Sequence, residues 1–154
     1  MSRTVRHALA ALVLCGASTI VSGQTPPAAP AKPAVQAFEH YERVRVALAA
    51  DKLTDVAPHA RALAAVVGPV GGAGSKKAAD AIAAATTIDD ARKHFGDLST
   101  ILVPVFQAEA LPGTTAYICE MKKKPWVQRG DKIENPYYGK SMLTCGSPLP
   151  AKGK

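Results

Sequence analysis

Residues 116–146 read AYICEMKKKPWVQRGDKIENPYYGKSMLTCG, and this stretch concentrates the sulfur and aromatic side chains of the chain. It contains Cys119 and Cys145, a methionine close to each of them (Met121 and Met142), the only tryptophan and three of the four tyrosines. Thiolate and thioether sulfurs are soft donors, which select monovalent copper or silver over harder ions. The stretch therefore predicts a four-sulfur site, provided that its two ends come together.

The beginning of the chain has the features of an export signal. Within residues 1–23, Arg3 and Arg6 precede an apolar run that ends at Cys15, and residues 21–23 form a small-residue cleavage site. The apolar run is too short and too interrupted for a membrane-spanning helix. We therefore expect a periplasmic protein that loses Cys15 together with its signal peptide and does not span the membrane afterwards.

Export leaves two interpretations of Cys119 and Cys145 open. In an oxidising compartment two cysteines most often form a disulfide, which would stabilise a loop of this size by roughly 3–4 kcal/mol. The same two residues, with the methionines, are also candidate ligands for a soft metal ion. The two interpretations can coexist if the disulfide opens when the metal arrives.

The Pro/Ala-rich residues 24–33 predict an extended linker, and residues 34–150 predict one domain. Apolar residues recur every three or four positions through most of this domain, which is typical of amphipathic helices. The first three helices carry Phe38, Tyr41, Val44 and Leu48, then Leu53, Val56, Ala60, Leu63, Val67 and Val70, then Ile82. We expect Thr54 to cap the second helix, a glycine-rich turn at residues 68–74, and Ser75 to cap the third.

The fourth helix has the clearest start signal, because Thr87 is followed three residues later by Asp90, as in a capping box. Pro104 is predicted to kink or end it. Four helices joined by short turns predict an all-α fold, an antiparallel four-helix bundle with the C-terminal residues as an irregular loop strapped over it. The loop's aromatic residues are expected to pack onto the helices: Trp126, Tyr137 and Tyr138.

Positive charge is concentrated at the C-terminal end. Residues 115–154 contain eight basic and three acidic side chains, whereas residues 24–114 contain nine of each. A segment with this excess of positive charge is typical of a solvent-exposed face or of a surface that binds an anionic partner. Nucleic acid is not expected as a partner, because an exported protein meets little of it.

Several segments of the chain carry a resemblance to a known family: residues 49–52 (AADK), residues 90–99 (DARKHFGDLS), and the tail with Tyr117-x-Cys119-x-Met121 and Asn135-Pro136-Tyr137-Tyr138-Gly139-x-x-Met142-Leu143-x-Cys145-Gly146. Together they resemble small bacterial periplasmic domains of unknown function, which also occur fused to the C-terminus of periplasmic adaptor subunits of copper and silver efflux pumps. The resemblance implies a helical bundle with a role in heavy-metal handling. Glu120 replaces the proline that the family places between the Cys and the Met.

His94 is a possible further ligand, because it lies beside the apolar stripe of the fourth helix; the alternative is a boundary histidine bonded to a neighbouring carbonyl. Catalytic motifs are missing from the sequence, which has no Ser-x-x-Lys, Gly-x-Ser-x-Gly or His-Glu-x-x-His, so we do not expect an enzyme.

We expect a periplasmic domain that binds or delivers Cu(I) or Ag(I) in metal efflux or resistance, with a metal-efflux adaptor or another envelope protein as its partner. The expected ligands are Cys119, Met121, Met142 and Cys145, with His94 as a possible fifth. The alternative is a structural or interaction module of the cell envelope that binds no metal and is held by a Cys119–Cys145 disulfide.

Overall fold

A computed structural model of the protein describes residues 32–150. The predicted signal peptide, Cys15 and residues 24–31 of the predicted linker lie outside this range. The described chain forms four α-helices, three β-strands and a short 3₁₀ helix: α1 (Pro33–Ala49), α2 (Leu53–Val66), α3 (Gly68–Ala84), α4 (Ile88–Ala108), β1 (Thr114–Cys119), β2 (Lys124–Arg129), the 3₁₀ helix (Gly139–Met142) and β3 (Ser147–Pro148). None of the helices described here has the length and apolar character needed to cross a membrane.

The apolar stripes predicted for the helices form the core. Phe38, Tyr41, Leu63, Phe95 and Leu98 are at most 2% exposed. Packing is tight between the aromatic rings of α1 and α4, where Tyr41 and Phe95 have centroids 4.8 Å apart. The helical part of the prediction is confirmed because each stripe follows the 3.6-residue period that places it on one face.

Helix α4 begins as its sequence predicts. The backbone N–H of Asp90 donates to Thr87 Oγ1 at 3.1 Å, which satisfies one of the free donors of the first turn. The helix then continues past Pro104 to Ala108, so of the two predicted effects of Pro104, a kink or an end of the helix, the end is wrong. Val103 and Phe106 lie on either side of the proline and are both buried, and their packing holds the last turn in place.

The glycine-rich segment is partly helical, although the sequence predicted a turn throughout. Helix α3 starts at Gly68 rather than at Ser75, but it is interrupted at Gly72, whose φ of 72° and ψ of −169° lie outside helical geometry. Ser75 Oγ donates to the Gly72 carbonyl at 2.7 Å, so Ser75 bridges the kink. Thr54 likewise lies inside α2 and does not cap it. Packing against α2 and α4 has overridden the low helix propensity of the glycines.

The prediction of an all-α fold is wrong, because the C-terminal segment contains a three-stranded antiparallel sheet in the order β2-β1-β3. β1 pairs with β2 from Thr114↔Arg129 to Cys119↔Lys124, and with β3 at Tyr117↔Pro148 and Ile118↔Ser147. The fold is therefore a mixture of helices and sheet. The strands are only two to six residues long, so each depends on hydrogen-bond partners that are distant in the sequence.

Both faces of the sheet are covered. On one face Val127 is 2% exposed and its backbone N–H points to the Tyr41 hydroxyl of α1 at 3.4 Å. On the other face Trp126 is fully buried and contacts the rings of Tyr117 and Tyr137. The prediction that the aromatic residues pack onto the helices is confirmed for Tyr137, whose ring lies 6.0 Å from that of Phe95 in α4. Trp126 is buried against other residues of the C-terminal segment, and Tyr138 is half-buried.

Candidate metal centre

Cys119 is the last residue of β1, and its side chain is completely buried. Burial is the main cause that raises the pKa of the Tyr137 phenol, and the neighbouring Tyr41 and Cys119 raise this pKa further. The Cys119 thiol is therefore a neighbour of the Tyr137 ring. The Tyr137 hydroxyl donates to the Pro125 carbonyl at 2.5 Å. The thiol of Cys119 therefore faces the interior, in a region of aromatic rings.

Cys145 lies two residues before β3 and is half-buried. Its backbone N–H donates to the Met142 carbonyl at 3.1 Å, and its carbonyl accepts from Asn135 Nδ2 at 2.7 Å. Asn135 is itself fully buried, and its Oδ1 accepts from the backbone N–H of Tyr137 at 2.7 Å. One asparagine thus connects the Cys145 backbone to the segment that covers Cys119.

The pairing of β1 with β3 brings the two cysteines to the same end of the sheet. Extending the register of Ile118↔Ser147 by one residue places Cys119 opposite Gly146, the neighbour of Cys145. The position of Gly146 agrees with this, because its Cα lies against the ring of Trp126, which pairs with β1 from the other side. The ends of the 116–146 stretch therefore meet. Both cysteines are free thiols.

The two methionines are placed differently from each other. Met121 is in the turn between β1 and β2 and is 61% exposed. Met142 ends the 3₁₀ helix and is half-buried, within one turn of Cys145. The sulfur atoms thus range from the enclosed Cys119, through the half-buried Met142 and Cys145, to the exposed Met121.

His94 lies on a different side of α4 from the residues that face the C-terminal segment. That segment contacts Arg92, whose Nε donates to the Pro136 carbonyl, and Gly96, which lies against Lys124 and Tyr137. At 3.6 residues per turn, His94 is about 200° around the helix axis from Arg92. The geometry does not bring His94 to the sulfur residues.

Within residues 32–150, no group of three or more His, Cys, Asp or Glu side chains is placed to hold a metal ion. A site at this end of the sheet would therefore have to combine the two thiols with thioether sulfur. This donor set suits a soft monovalent ion and does not suit magnesium or calcium, which take oxygen ligands. Structural zinc sites use four Cys or His ligands, and this set offers only two.

A network of hydrogen bonds joins the end of α1, the start of α4 and the C-terminal segment beside the candidate metal centre. No pattern in the sequence predicted this junction. Arg92 donates to the carbonyls of Pro136 and Leu48, both at 3.0 Å, and to the carboxylate of Asp51. The other carboxylate oxygen of Asp51 accepts from the backbone N–H of Lys140 at 3.1 Å. These contacts, chiefly the Arg92 hydrogen bond, lower the pKa of Asp51.

Gly139 completes the junction. Its φ is 55°, in the left-handed region, and a Cβ at this position would overlap Asp51 and Arg92. The junction joins three segments that lie far apart in the sequence, residues 49–52, 90–99 and 135–139. The structure shows that these separate segments are in contact.

A second junction is built around Arg45, whose side chain is 2% exposed. Its guanidinium bonds both carboxylate oxygens of Glu42, at 2.7 and 2.9 Å, and the carbonyl of Glu134 at 2.8 Å. Burial disfavours the charged form of Arg45, but the hydrogen bonds that its guanidinium donates to Glu42 and Glu134 outweigh this effect, so the pKa of the guanidinium is raised. This contact fixes the loop that leads from β2 to Asn135.

Comparison of the chain with known proteins found no relative. No family model matches the chain, and neither the curated proteins nor the solved structures contain a significant match.

Proposed function

We propose that the protein is a periplasmic domain that binds Cu(I) or Ag(I) and delivers it in metal efflux or resistance. Cys119 and Cys145 are the central ligands in this proposal, and Met142 is the third donor. The observation that carries it is the β1–β3 pairing, which brings the two cysteine-bearing ends of a long loop to one end of the sheet. Two thiols and a thioether form a donor set that favours monovalent copper or silver.

The range of sulfur exposure suggests how an ion would be taken up. Met121, which is 61% exposed, is the sulfur that an incoming ion meets first. Exchange to the half-buried Met142 and Cys145 and then to the enclosed Cys119 would remove the ion from water in steps. Such a graded arrangement favours transfer of the metal, because each ligand can be exchanged without releasing a free ion.

The charge of the C-terminal segment is consistent with bound metal. A monovalent ion held by two thiolates carries a net negative charge, and residues 115–154 have eight basic against three acidic side chains. The same positive charge repels a free cation, so binding must depend on the strength of the metal–sulfur bonds.

The deciding experiment is an anaerobic titration of the reduced, exported protein with Cu(I) against a chromogenic chelator. We expect one ion per protein, and loss of this binding in a Cys119→Ser/Cys145→Ser variant. Met142→Leu should weaken binding, and Met121→Leu should chiefly slow uptake. If the double serine variant competes with the chelator as well as the unaltered protein does, the proposal is wrong.

The second candidate is a structural or interaction module of the envelope in which the same two cysteines form a disulfide. It rests on the same β1–β3 pairing, since this brings the cysteine-bearing segments together. Intact-mass measurement with and without alkylation separates the two functions. A disulfide that is complete in protein from the periplasm and resists mild reductant favours the structural module, whereas alkylation of both thiols favours the metal site.

A further inference from the structure

A cleft of about 550 Å³ lies between the first half of α4, the turn joining β1 to β2, and the residues around the 3₁₀ helix. Lys122 and Ser141 contribute to its wall, whereas the four sulfur-bearing residues do not. The cleft is therefore distinct from the candidate metal centre. Its lining has four basic side chains, Arg92, Lys93, Lys122 and Lys124, and one acidic side chain, Asp89.

Two of these cations are not neutralised by a neighbour. Lys124 pairs with Asp97 at 2.9 Å. Neither Lys93 nor Lys122 forms an ion pair with any carboxylate of residues 32–150. The ammonium group of Lys122 instead lies 5.1 Å from the centre of the Tyr138 ring, which forms one wall of the cleft. The cleft thus holds two ammonium groups that are available to an anion.

Arg92, in the lining of the same cleft, supplies a third positively charged group, which is held in a fixed position. Its side chain is 11% exposed, and Nε and Nη2 are held by Pro136, Leu48 and Asp51. The Nη1 atom is left with only Asp89, 3.7 Å away, which is beyond hydrogen-bond distance. Since the guanidinium is already immobilised, a ligand bound by its Nη1 donors meets little further loss of side-chain entropy.

Asp89 makes the cleft selective for an anion that can displace it. Its side chain is 90% exposed and lies on the first turn of α4, where it is the acidic residue of the lining. A dianion would compete with this single mobile carboxylate for Arg92 and gain the two unpaired lysines in addition. Guanidinium and ammonium groups together are typical ligands of phosphate.

We propose that this cleft binds a phosphate group, with Arg92 Nη1, Lys93 and Lys122 as its donors. The rings of Tyr137 and Tyr138 provide apolar surface for the organic part of a phosphate ester. The phosphate belongs either to a soluble ester or to a lipid headgroup at the membrane surface. A soluble phosphomonoester and the phosphomonoester headgroup of phosphatidic acid present the same oxyanion to the cleft, with a charge of about −1.5 to −2 at neutral pH.

The test measures binding of inorganic phosphate and glycerol phosphate to the metal-free protein by calorimetry, and binding of phosphatidylcholine vesicles with and without phosphatidic acid by sedimentation. A Lys93→Ala/Lys122→Ala variant should bind about tenfold more weakly or worse, since two charged hydrogen bonds are lost. Both lysines are exposed, so the fold should be retained, which thermal unfolding checks.

The matched control is Lys77→Ala/Lys123→Ala, which removes the same charge from exposed positions outside the lining and should bind as the unaltered protein does. Asp89→Asn should tighten binding several-fold by removing the competing carboxylate. Binding of soluble phosphate that depends on Lys93 and Lys122 supports the ester as the source, and binding confined to phosphatidic acid vesicles with that dependence supports the lipid. No binding in either assay, or an equal loss in the control variant, overturns the proposal.

Discussion

The indole of Trp126 occupies the space into which any side chain at position 146 would project, and a Cβ on Gly146 would overlap the ring. Gly146 therefore allows the chain to pass directly over a fully buried tryptophan on its way into β3. The close approach holds Cys145, the preceding residue, at the end of the sheet that carries Cys119.

Gly146→Ala should destabilise the protein by about 1–3 kcal/mol, because the added methyl group forces the indole or the strand to move. Denaturant unfolding followed by the fluorescence of Trp126, the single tryptophan, measures the change. Gly68→Ala is the matched control, since a Cβ there meets nothing within 4 Å, and it should be neutral or slightly stabilising. Equal stability of the two variants would contradict the packing described here.

Asn135→Ala should lower the free energy of unfolding by about 2–4 kcal/mol, because it leaves the Cys145 carbonyl and the Tyr137 N–H without their partner inside the protein. It should also speed alkylation of Cys145 relative to that of Cys119, because the Cys145 segment loses its anchor. Thr144→Ala, an exposed change next to Cys145, is the control and should alter neither quantity. Unchanged alkylation in the Asn135 variant would show that another contact holds the segment.

Arg45→Ala should cost about 3–5 kcal/mol of stability, since it leaves Glu42 and the Glu134 carbonyl without the buried guanidinium that binds them. Arg43→Ala removes the same kind of side chain from an exposed position of α1 and should change stability by less than about 0.5 kcal/mol. Chemical denaturation of both variants gives the comparison. A small loss for Arg45 would mean that the loop after β2 does not depend on this contact.

Asp51→Asn tests the pH dependence of the Arg92 junction. The pKa of Asp51 is lowered in the folded protein, so its contribution is complete above the ordinary pKa of an aspartate and is lost as the pH falls through the folded value. The variant should be less stable near neutral pH by about 1 kcal/mol or less, because the carboxylate is partly exposed. Asparagine tolerates the left-handed φ of 61° at this position, so the backbone is kept.

Thermal unfolding between pH 3 and pH 7 measures this difference. The gap between Asp51→Asn and the unaltered protein should narrow in acid, as the aspartate of the latter becomes protonated. A gap that stays constant over this range would assign the effect of the substitution to the backbone rather than to the charge of Asp51.

The helical core was predictable because its signals are local. Phe38, Tyr41 and Leu48 repeat at helical spacing, and Thr87 and Asp90 lie three residues apart, as capping requires. The glycine-rich start of α3 was not predictable in the same way. There the local signal favoured a turn, but the chain departs from helical geometry only at Gly72, and Gly71 packs closely against Leu102 of α4.

The candidate site was predictable only as a set of residue types. The spacing of Cys119, Met121, Met142 and Cys145 indicated soft-metal ligands, but nothing in the spacing distinguished the buried Cys119 from the exposed Met121. The ion pair of Arg92 with Asp51 could not be predicted, because the two residues are 41 positions apart in the sequence. Neither residue belongs to a local motif that indicates a partner. Their meeting depends on how α1 and α4 pack.

By itself the sequence determined four helices, their buried faces, the cap of α4 and the concentration of sulfur, aromatic and basic side chains near the C-terminus. The tertiary structure alone decided that this last segment is a sheet and that Ile118 pairs with Ser147. The physical reason is the range of the hydrogen bonds. A helix closes its bonds within four residues, whereas a strand closes them with a partner that only the folded chain brings near.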